Sequence, residues 1–235
     1  MLITGLSSVY AVCGDAAGVA GNAFAFVLFI SSIPTFRRII INRSTEQFSE
    51  LPYIYALLSC LICLWYGLPF VSPDSILVAT VNSIGAVFQL IYISIFIAYA
   101  DNHKKLKLSA MLIAVLALFV VIVFVSIKLF DPYDRQLFVG YLSVASLTSM
   151  FASPLFVINL VIKTRSVEYM PFYLSLSTLL MSFSFFGYGM FKYDPFLYVP
   201  NGIGTILGLV QLAVYSYYSS TSAEDSREPF IQSYA

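Results

Sequence analysis

The sequence predicts an all-α integral membrane protein with seven transmembrane helices. Of its 235 residues, 60% are hydrophobic and only 10% are Asp, Glu, Lys or Arg, and the mean hydropathy is +0.88. Soluble domains carry roughly 25% charged residues, so this composition argues against a soluble enzyme. The apolar runs are long and do not alternate with polar residues, which argues against a membrane β-barrel.

Seven segments without Asp, Glu, Lys or Arg supply the predicted helices, since about 20 apolar residues cross a bilayer. They are residues 16–36, 51–73, 75–100, 108–127, 136–162, 169–191 and 195–223, with the last helix ending near Tyr218. Residues 1–13 are interpreted as a luminal or extracellular lead. Residues 220–235 are interpreted as a disordered cytosolic tail, because they are short and rich in Ser and acidic residues.

The positive charges predict the orientation of these helices. Nine of the twelve Lys and Arg residues follow the first, third, fifth and seventh segments. Only Lys128, Arg135 and Lys192 lie in the opposite loops. Because cytosolic loops carry the excess of Lys and Arg, the N-terminus is predicted to face the outside or a lumen and the C-terminus the cytosol.

An internal repeat relates the first three segments to the last three, and the fourth has no counterpart. The aligned motifs are Arg43-Ser44-Thr45-Glu46 with Arg165-Ser166-Val167-Glu168, Tyr66-Gly67 with Tyr188-Gly189, and Val81-Asn82-Ser83-Ile84-Gly85 with Pro200-Asn201-Gly202-Ile203-Gly204. The predicted arrangement is therefore 3+1+3, with parallel three-helix repeats at 14–100 and 133–219 and a linker helix at 101–132. This design places a substrate site near the membrane midplane, between the halves.

The repeated motifs resemble those of the plant SWEET sugar transporters, which have two MtN3/saliva-type repeats. The matching pieces are Thr35-Phe36-Arg37-Arg38-Ile39, Ser44-Thr45-Glu46-Gln47-Phe48-Ser49, Trp65-Tyr66-Gly67, Thr80-Val81-Asn82, Ala152-Ser153-Pro154-Leu155, Ser166-Val167-Glu168-Tyr169-Met170-Pro171-Phe172 and Pro200-Asn201-Gly202. The resemblance covers about residues 14–219. It is strongest to the subgroup associated with hexoses and with the vacuolar membrane.

The resemblance implies a bidirectional facilitative uniporter that works by alternating access and carries a glucose-like hexose. It implies no enzyme activity and no cofactor. The expected partners are a mono- or disaccharide, the lipid bilayer and further copies of the chain in a homo-oligomer. The expected location is the vacuolar membrane, with the plasma membrane as the alternative. The sequence does not decide whether the preferred substrate is a hexose or sucrose.

Two asparagines in apolar segments are the first candidates for substrate binding. Asn82 and Asn201 occupy equivalent positions of the two repeats, and each amide offers two donors and an acceptor to a sugar hydroxyl. The alternative is a hydrogen bond between helices. The resemblance matches both to the paired substrate-binding asparagines of the family. It also places Cys63 and Phe185 at pocket positions, for which ordinary packing is the alternative.

Prolines mark the predicted cytosolic side. Pro52, Pro154 and Pro171 lie in or beside the segments, where a missing backbone N–H loosens a helix. Helix-start prolines are the alternative for Pro52 and Pro171. The resemblance implies four gate prolines, but the position aligned with Pro154 is Ser32, and proline follows at Pro34. Either Pro34 substitutes, or the inner gate is stiffer or altered.

On the opposite side, the resemblance matches Tyr66, Tyr188 and Asp194 to an extracellular gate. Asp194 is expected to accept a hydrogen bond from Tyr66 when that gate closes. The alternatives are interfacial anchoring for the tyrosines and a solvated loop charge for Asp194.

Several features are missing from the sequence. No segment carries a charge at its middle, whereas proton-coupled transporters usually keep an ionisable relay there. There is no Walker-type phosphate loop, the zero net charge offers no footprint for nucleic acid, and a single histidine with three cysteines predicts no metal site. A seven-helix receptor and a transport-inactive scaffold stay open as alternatives. The duplication argues against the receptor, and Ser32 gives the scaffold some weight.

Overall fold

The computed structural model describes residues 2–46, 48–167 and 170–225. Within these residues the chain forms nine α-helices. They are α1 (Leu2–Ile30), α2 (Ile33–Asn42), α3 (Leu51–Gly67), α4 (Ile76–Tyr99), α5 (Asn102–Leu129), α6 (Pro132–Met150), α7 (Ala152–Thr164), α8 (Phe172–Phe191) and α9 (Pro195–Asp225). Three motif residues noted above, Gln47, Glu168 and Tyr169, lie outside the described residues.

The prediction of an all-helical membrane protein is confirmed. Six stretches of the described chain are long and apolar enough to cross a membrane, two of which join consecutive helices, namely Val9–Asn42 and Pro132–Thr164. Helix α3 is a shorter apolar helix of 17 residues.

Two of the seven predicted helices are broken, so the prediction of one continuous helix in each of these segments is wrong. The break between α1 and α2 lies at Ser31 and Ser32, and the break between α6 and α7 lies at Phe151. Pro34 and Pro154 follow the two breaks within three residues. Because proline has no N–H, the carbonyls one turn earlier lose their intrahelical donor and the helix restarts.

The restarted helices α2 and α7 end in the same way. Arg43 and Arg165 follow them with φ of 50° and 52°, in the left-handed region that glycine usually occupies at a helix end. These two arginines are equivalent in the sequence repeat. The repeat therefore extends to a matched, unusual backbone conformation.

Both ends of the described chain are more helical than expected. Helix α1 already begins at Leu2, and α9 continues to Asp225, so the disordered tail predicted from residue 220 is wrong as far as Asp225. No glycine or proline interrupts α9 after Gly208, and the intervening residues tolerate helix. Residues 226–235 of the predicted tail lie outside the described residues.

Six of the helices form a closed ring. Each packs against the next in the order α1, α4, α3, α6, α9, α8 and back to α1. Helix α5 lies outside the ring, against α3, α4 and α6. The ring leaves a space at its centre, and the side chains that face this space form the site described below.

Two glycines allow a neighbouring helix to approach with its backbone. A Cβ at Gly67 would lie 2.4 Å from the backbone nitrogen of Ala79, and one at Gly189 would lie 2.6 Å from the backbone nitrogen of Tyr198. Both neighbours are backbone atoms, which cannot rotate away. The α3–α4 and α8–α9 contacts are thus made at equivalent points of the repeat.

We expect Gly67→Ala and Gly189→Ala each to destabilise the fold by about 1–3 kcal/mol, because the added methyl group forces packed helices apart. Thermal unfolding of the detergent-solubilised protein measures this loss. Gly187→Ala is the matched control in α8, since its Cβ would lie 3.8 Å from the Cβ of Ala17, an ordinary contact. Equal melting temperatures for all three variants would contradict the expectation.

Candidate functional site

A cavity of about 310 Å³ lies at the centre of the ring. All six ring helices contribute to its wall, and most of the lining side chains are apolar. The lining residues with amide or hydroxyl groups are Ser32, Ser59, Tyr66, Asn82, Gln89, Ser143 and Asn201. An apolar wall with a few polar groups is the usual character of a small-molecule site.

Asn82 and Asn201 lie in this wall and make matching hydrogen bonds. The Nδ2 of Asn82 donates to the carbonyl of Val78 at 2.9 Å, and the Nδ2 of Asn201 donates to the carbonyl of Leu197 at 2.8 Å. Each bond stays within its own helix and joins no neighbouring helix. It uses one of the two amide hydrogens, so both amides keep donor and acceptor capacity for a ligand.

Cys63 and Phe185 line the same cavity from α3 and α8. Both are buried, at 2% and 6% exposure. The Phe185 ring fits because α1 has a glycine opposite it, since a Cβ at Gly21 would lie 2.8 Å from the ring. The cavity thus combines two amides with an aromatic ring.

The end of the cavity nearest Asp194 is closed by hydrogen bonds. The Tyr66 hydroxyl donates to Asp194 Oδ2 at 2.6 Å, and the Tyr188 hydroxyl donates to the backbone carbonyl of Asp74 at 2.9 Å. The backbone N–H of Phe196 donates to the other carboxylate oxygen of Asp194 at 3.0 Å. The loops on both sides of the ring are therefore tied together at this end, which we call the outer mouth.

Asp194 is buried, with 7% of its surface exposed. Burial raises the pKa of its carboxyl group, although the hydrogen bond from Tyr66 acts in the opposite direction. The Asp194 side chain is thus held as a buried, hydrogen-bonded group rather than as a solvated loop charge.

The prolines lie at the opposite end, which we call the inner mouth. Each of three prolines lies within the first three residues of a helix, namely Pro34 in α2, Pro52 in α3 and Pro154 in α7. Pro171 immediately precedes α8. Three of the four are exposed, and Pro154 is half-buried. Ser32, which the sequence aligns with Pro154, precedes α2 and lines the cavity.

The structure therefore gathers some predicted site residues and separates others. Six of them line the cavity: Ser32, Cys63, Tyr66, Asn82, Phe185 and Asn201. Tyr188 and Asp194 belong to the outer mouth, and the four prolines surround the inner one.

Sequence reasoning missed three polar lining residues, Ser59, Gln89 and Ser143. Gln89 follows Asn82 by seven residues, which places both on one face of α4. This spacing is a signal that the sequence offered. The serines gave none, since short hydroxyl side chains occur throughout the apolar segments and often bond their own helix.

Comparison with known proteins decides the family. A family model described as "Sugar efflux transporter for intercellular exchange" matches residues 15–104 and 137–223. The chain is a member of the SWEET family. The SWEET resemblance drawn from the motifs is thereby confirmed.

Individual SWEET proteins match nearly the whole chain. The bidirectional sugar transporter SWEET2a of Sorghum bicolor is 64% identical over 225 residues, which cover 96% of this chain and 93% of the relative. The bidirectional sugar transporter SWEET2 of Arabidopsis thaliana is 62% identical over 224 residues, 95% of each chain. A solved structure of a eukaryotic SWEET transporter, determined at 3.7 Å resolution, shares 56% identity with a TM-score of 0.89 and covers 90% of this chain and 99% of that one.

Proposed function

We propose that this SWEET protein is a bidirectional facilitative uniporter for sugars, with a glucose-like hexose as its substrate. The observation that carries the proposal is the central cavity, into which equivalent positions of two repeats bring the amides of Asn82 and Asn201. An amide pair on opposite sides of a cavity suits a ligand with hydroxyl groups around its ring. Two relatives above 60% identity are named bidirectional sugar transporters.

The rest of the cavity wall suits the same ligand. Phe185 offers an aromatic face to the C–H side of a pyranose ring, as stacked carbohydrates require. As far as the structure describes the wall, it contains no Asp, Glu, Lys or Arg. A neutral wall fits an uncharged solute that moves down its own gradient without a coupled ion.

The transport cycle proposed here alternates access between the two mouths. The arrangement is 3+1+3, with α1–α4 and α6–α9 as the halves and α5 as the linker, and the two separate stretches matched by the family model support it. In the state observed, hydrogen bonds close the outer mouth, while the prolines at the inner mouth are mostly exposed. The halves would rock about the cavity, with Pro52, Pro154 and Pro171 as hinges and Pro34 as the fourth.

The proposal also covers the membrane, the oligomeric state and the orientation of the protein. We place the protein in the vacuolar membrane as a homo-oligomer, with its N-terminus in the lumen and its C-terminus in the cytosol. The excess of Lys and Arg after the odd-numbered predicted segments supports this orientation.

Uptake of labelled glucose into proteoliposomes, with and without an imposed proton gradient, tests the function. The expected result is uptake that stops at equilibrium and ignores the gradient. Accumulation driven by the gradient would overturn the uniport mechanism. If vesicles that contain folded protein take up none of glucose, fructose and sucrose, the proposal of sugar transport is itself overturned.

Acid on the side of the outer mouth is expected to slow transport. An open mouth hydrates Asp194 and returns its pKa towards the ordinary carboxyl value, whereas the closed mouth raises it. The closed state therefore binds the proton more tightly. Protonation of Asp194 therefore stabilises the closed state relative to the open state. This stabilisation is fully present below the ordinary carboxyl pKa, and it is lost as the pH rises through the raised pKa of the closed state.

The uptake rate measured against pH on that side checks this expectation. Asp194→Asn should flatten the profile between the two pKa values. Asp74→Asn is the control, because the Asp74 carboxylate lies in the same mouth but is exposed. A profile that survives Asp194→Asn unchanged would assign the pH dependence to another group.

A further inference from the structure

Gln89 carries a buried amide group whose oxygen has no hydrogen-bond partner. The residue is 8% exposed, and Oε1 has no donor within the part of the chain that the structure describes. Nearly all buried polar atoms of folded proteins are hydrogen-bonded, so an exception calls for an explanation. No other buried side-chain oxygen or nitrogen of the described residues is in this state.

The position of Gln89 suggests that explanation. It lines the central cavity, two helical turns from Asn82 on the same face of α4. That distance is about 10 Å along the helix axis. Because α4 runs from the outer mouth towards the inner one, Gln89 lies on the inner side of the asparagine pair, where Ser32 and Ala56 also line the cavity.

We infer that the Gln89 amide is a second carbohydrate-binding position, which hydrogen-bonds a hydroxyl at the inner-mouth end of the sugar that the asparagine pair holds. The inference rests on the proposed function. An amide suits this task because its oxygen accepts from a hydroxyl and its NH2 group donates to one. The terminal side-chain torsion of Gln is soft, so either end of the amide can turn towards the cavity.

Gln211 is a second buried glutamine, in the other half of the ring. It is also 8% exposed, on α9 of the other half. It does not line the cavity, and its amide is not among the unpartnered groups of the described residues. Gln211 is therefore a matched control for any effect of removing a buried amide from a ring helix.

The test measures glucose affinity of the purified full-length protein for wild type, Gln89→Met and Gln211→Met. Met keeps the length of Gln and removes its hydrogen-bonding groups. We expect Gln89→Met to weaken glucose binding by about tenfold, the effect of one or two lost hydrogen bonds, and Gln211→Met to leave it unchanged. Equal affinities for wild type and Gln89→Met would overturn the inference.

A panel of monodeoxyglucoses separates direct contact from a structural effect. If Gln89 binds one hydroxyl, the analogue that lacks it binds wild type and Gln89→Met equally, while the other analogues keep the difference. A uniform loss across the panel would overturn direct contact. If Gln89→Met does not fold, Gln89→Asn serves in its place, since it keeps the amide one methylene further from the cavity.

The proposed function and this inference fail in different ways. A folded wild-type protein that binds no glucose overturns the function, and the inference with it. Wild-type binding that Gln89→Met leaves unchanged overturns only the inference.

Discussion

Asn82→Ala and Asn201→Ala are each expected to reduce sugar uptake by about 10–100-fold, since each lost hydrogen bond to a hydroxyl that stays buried costs roughly 1–3 kcal/mol. Both amides line the cavity and hold one hydrogen bond each, to a carbonyl of their own helix. Removing either side chain therefore takes binding capacity from the cavity without disconnecting two helices. Uptake into proteoliposomes measures the loss, beside the melting temperature of each variant.

Asn22→Ala is the matched control for this pair. Asn22 lies on α1, donates to the carbonyl of Leu77 at 3.0 Å and accepts from the Thr80 hydroxyl at 3.1 Å, so its amide joins α1 to α4. We expect this variant to lose thermal stability while its KM for glucose changes little. Normal uptake by both Asn82→Ala and Asn201→Ala would reject the binding role of the two asparagines.

Tyr66→Phe is expected to shift the protein towards an open outer mouth by about 10–100-fold, because hydrogen bonds to charged groups contribute roughly 1.5–3 kcal/mol. The lost hydroxyl is the donor to Asp194 at 2.6 Å, and its removal leaves a buried carboxylate with weaker partners. A membrane-impermeant thiol reagent can follow this shift. Cys60 and Cys63 line the cavity, and replacement of the exposed Cys13 by Ser removes the background label.

Reagent applied at the outer mouth should then label Tyr66→Phe faster than wild type. The equivalent change in the second repeat is a built-in comparison. Tyr188→Phe loses a bond to a neutral backbone carbonyl at 2.9 Å, which contributes only about 0.5–1.5 kcal/mol. Its labelling should rise less, and equal labelling of the two variants would argue that Asp194 adds nothing beyond an ordinary acceptor.

The membrane-spanning segments were largely predictable from sequence. Apolar length is a strong signal for membrane helices, and each predicted segment corresponds to one helix or to a pair of consecutive helices. The helix breaks after Ile30 and Met150 were missed because a hydropathy profile does not show where a proline removes one backbone N–H donor. Pro34 and Pro154 were visible, but a proline inside an apolar run can also merely bend a helix.

The site was predictable where the repeat and the family resemblance both apply. Asn82 and Asn201 were singled out because they occupy equivalent positions of the two repeats, and Cys63 and Phe185 because of the family resemblance; all four line the cavity. Gln89 was missed because a comparison of the two repeats reveals only polar residues that occur at equivalent positions in both. The position equivalent to Gln89 in the second repeat is Gly208. The closure of the outer mouth at Asp74 also escaped, because a backbone carbonyl leaves no trace in the sequence.

The two arginines that end α2 and α7 link local backbone strain to membrane insertion. A left-handed conformation costs a residue other than glycine about 1–2 kcal/mol, so the substitutions Arg43→Gly and Arg165→Gly would relax the backbone at each helix end. They would also delete two of the positive charges on the side proposed to be cytosolic. The distribution of Lys and Arg between the loops sets the orientation of membrane helices. At these two positions a strained backbone conformation therefore coincides with a positive charge that favours the proposed orientation in the bilayer.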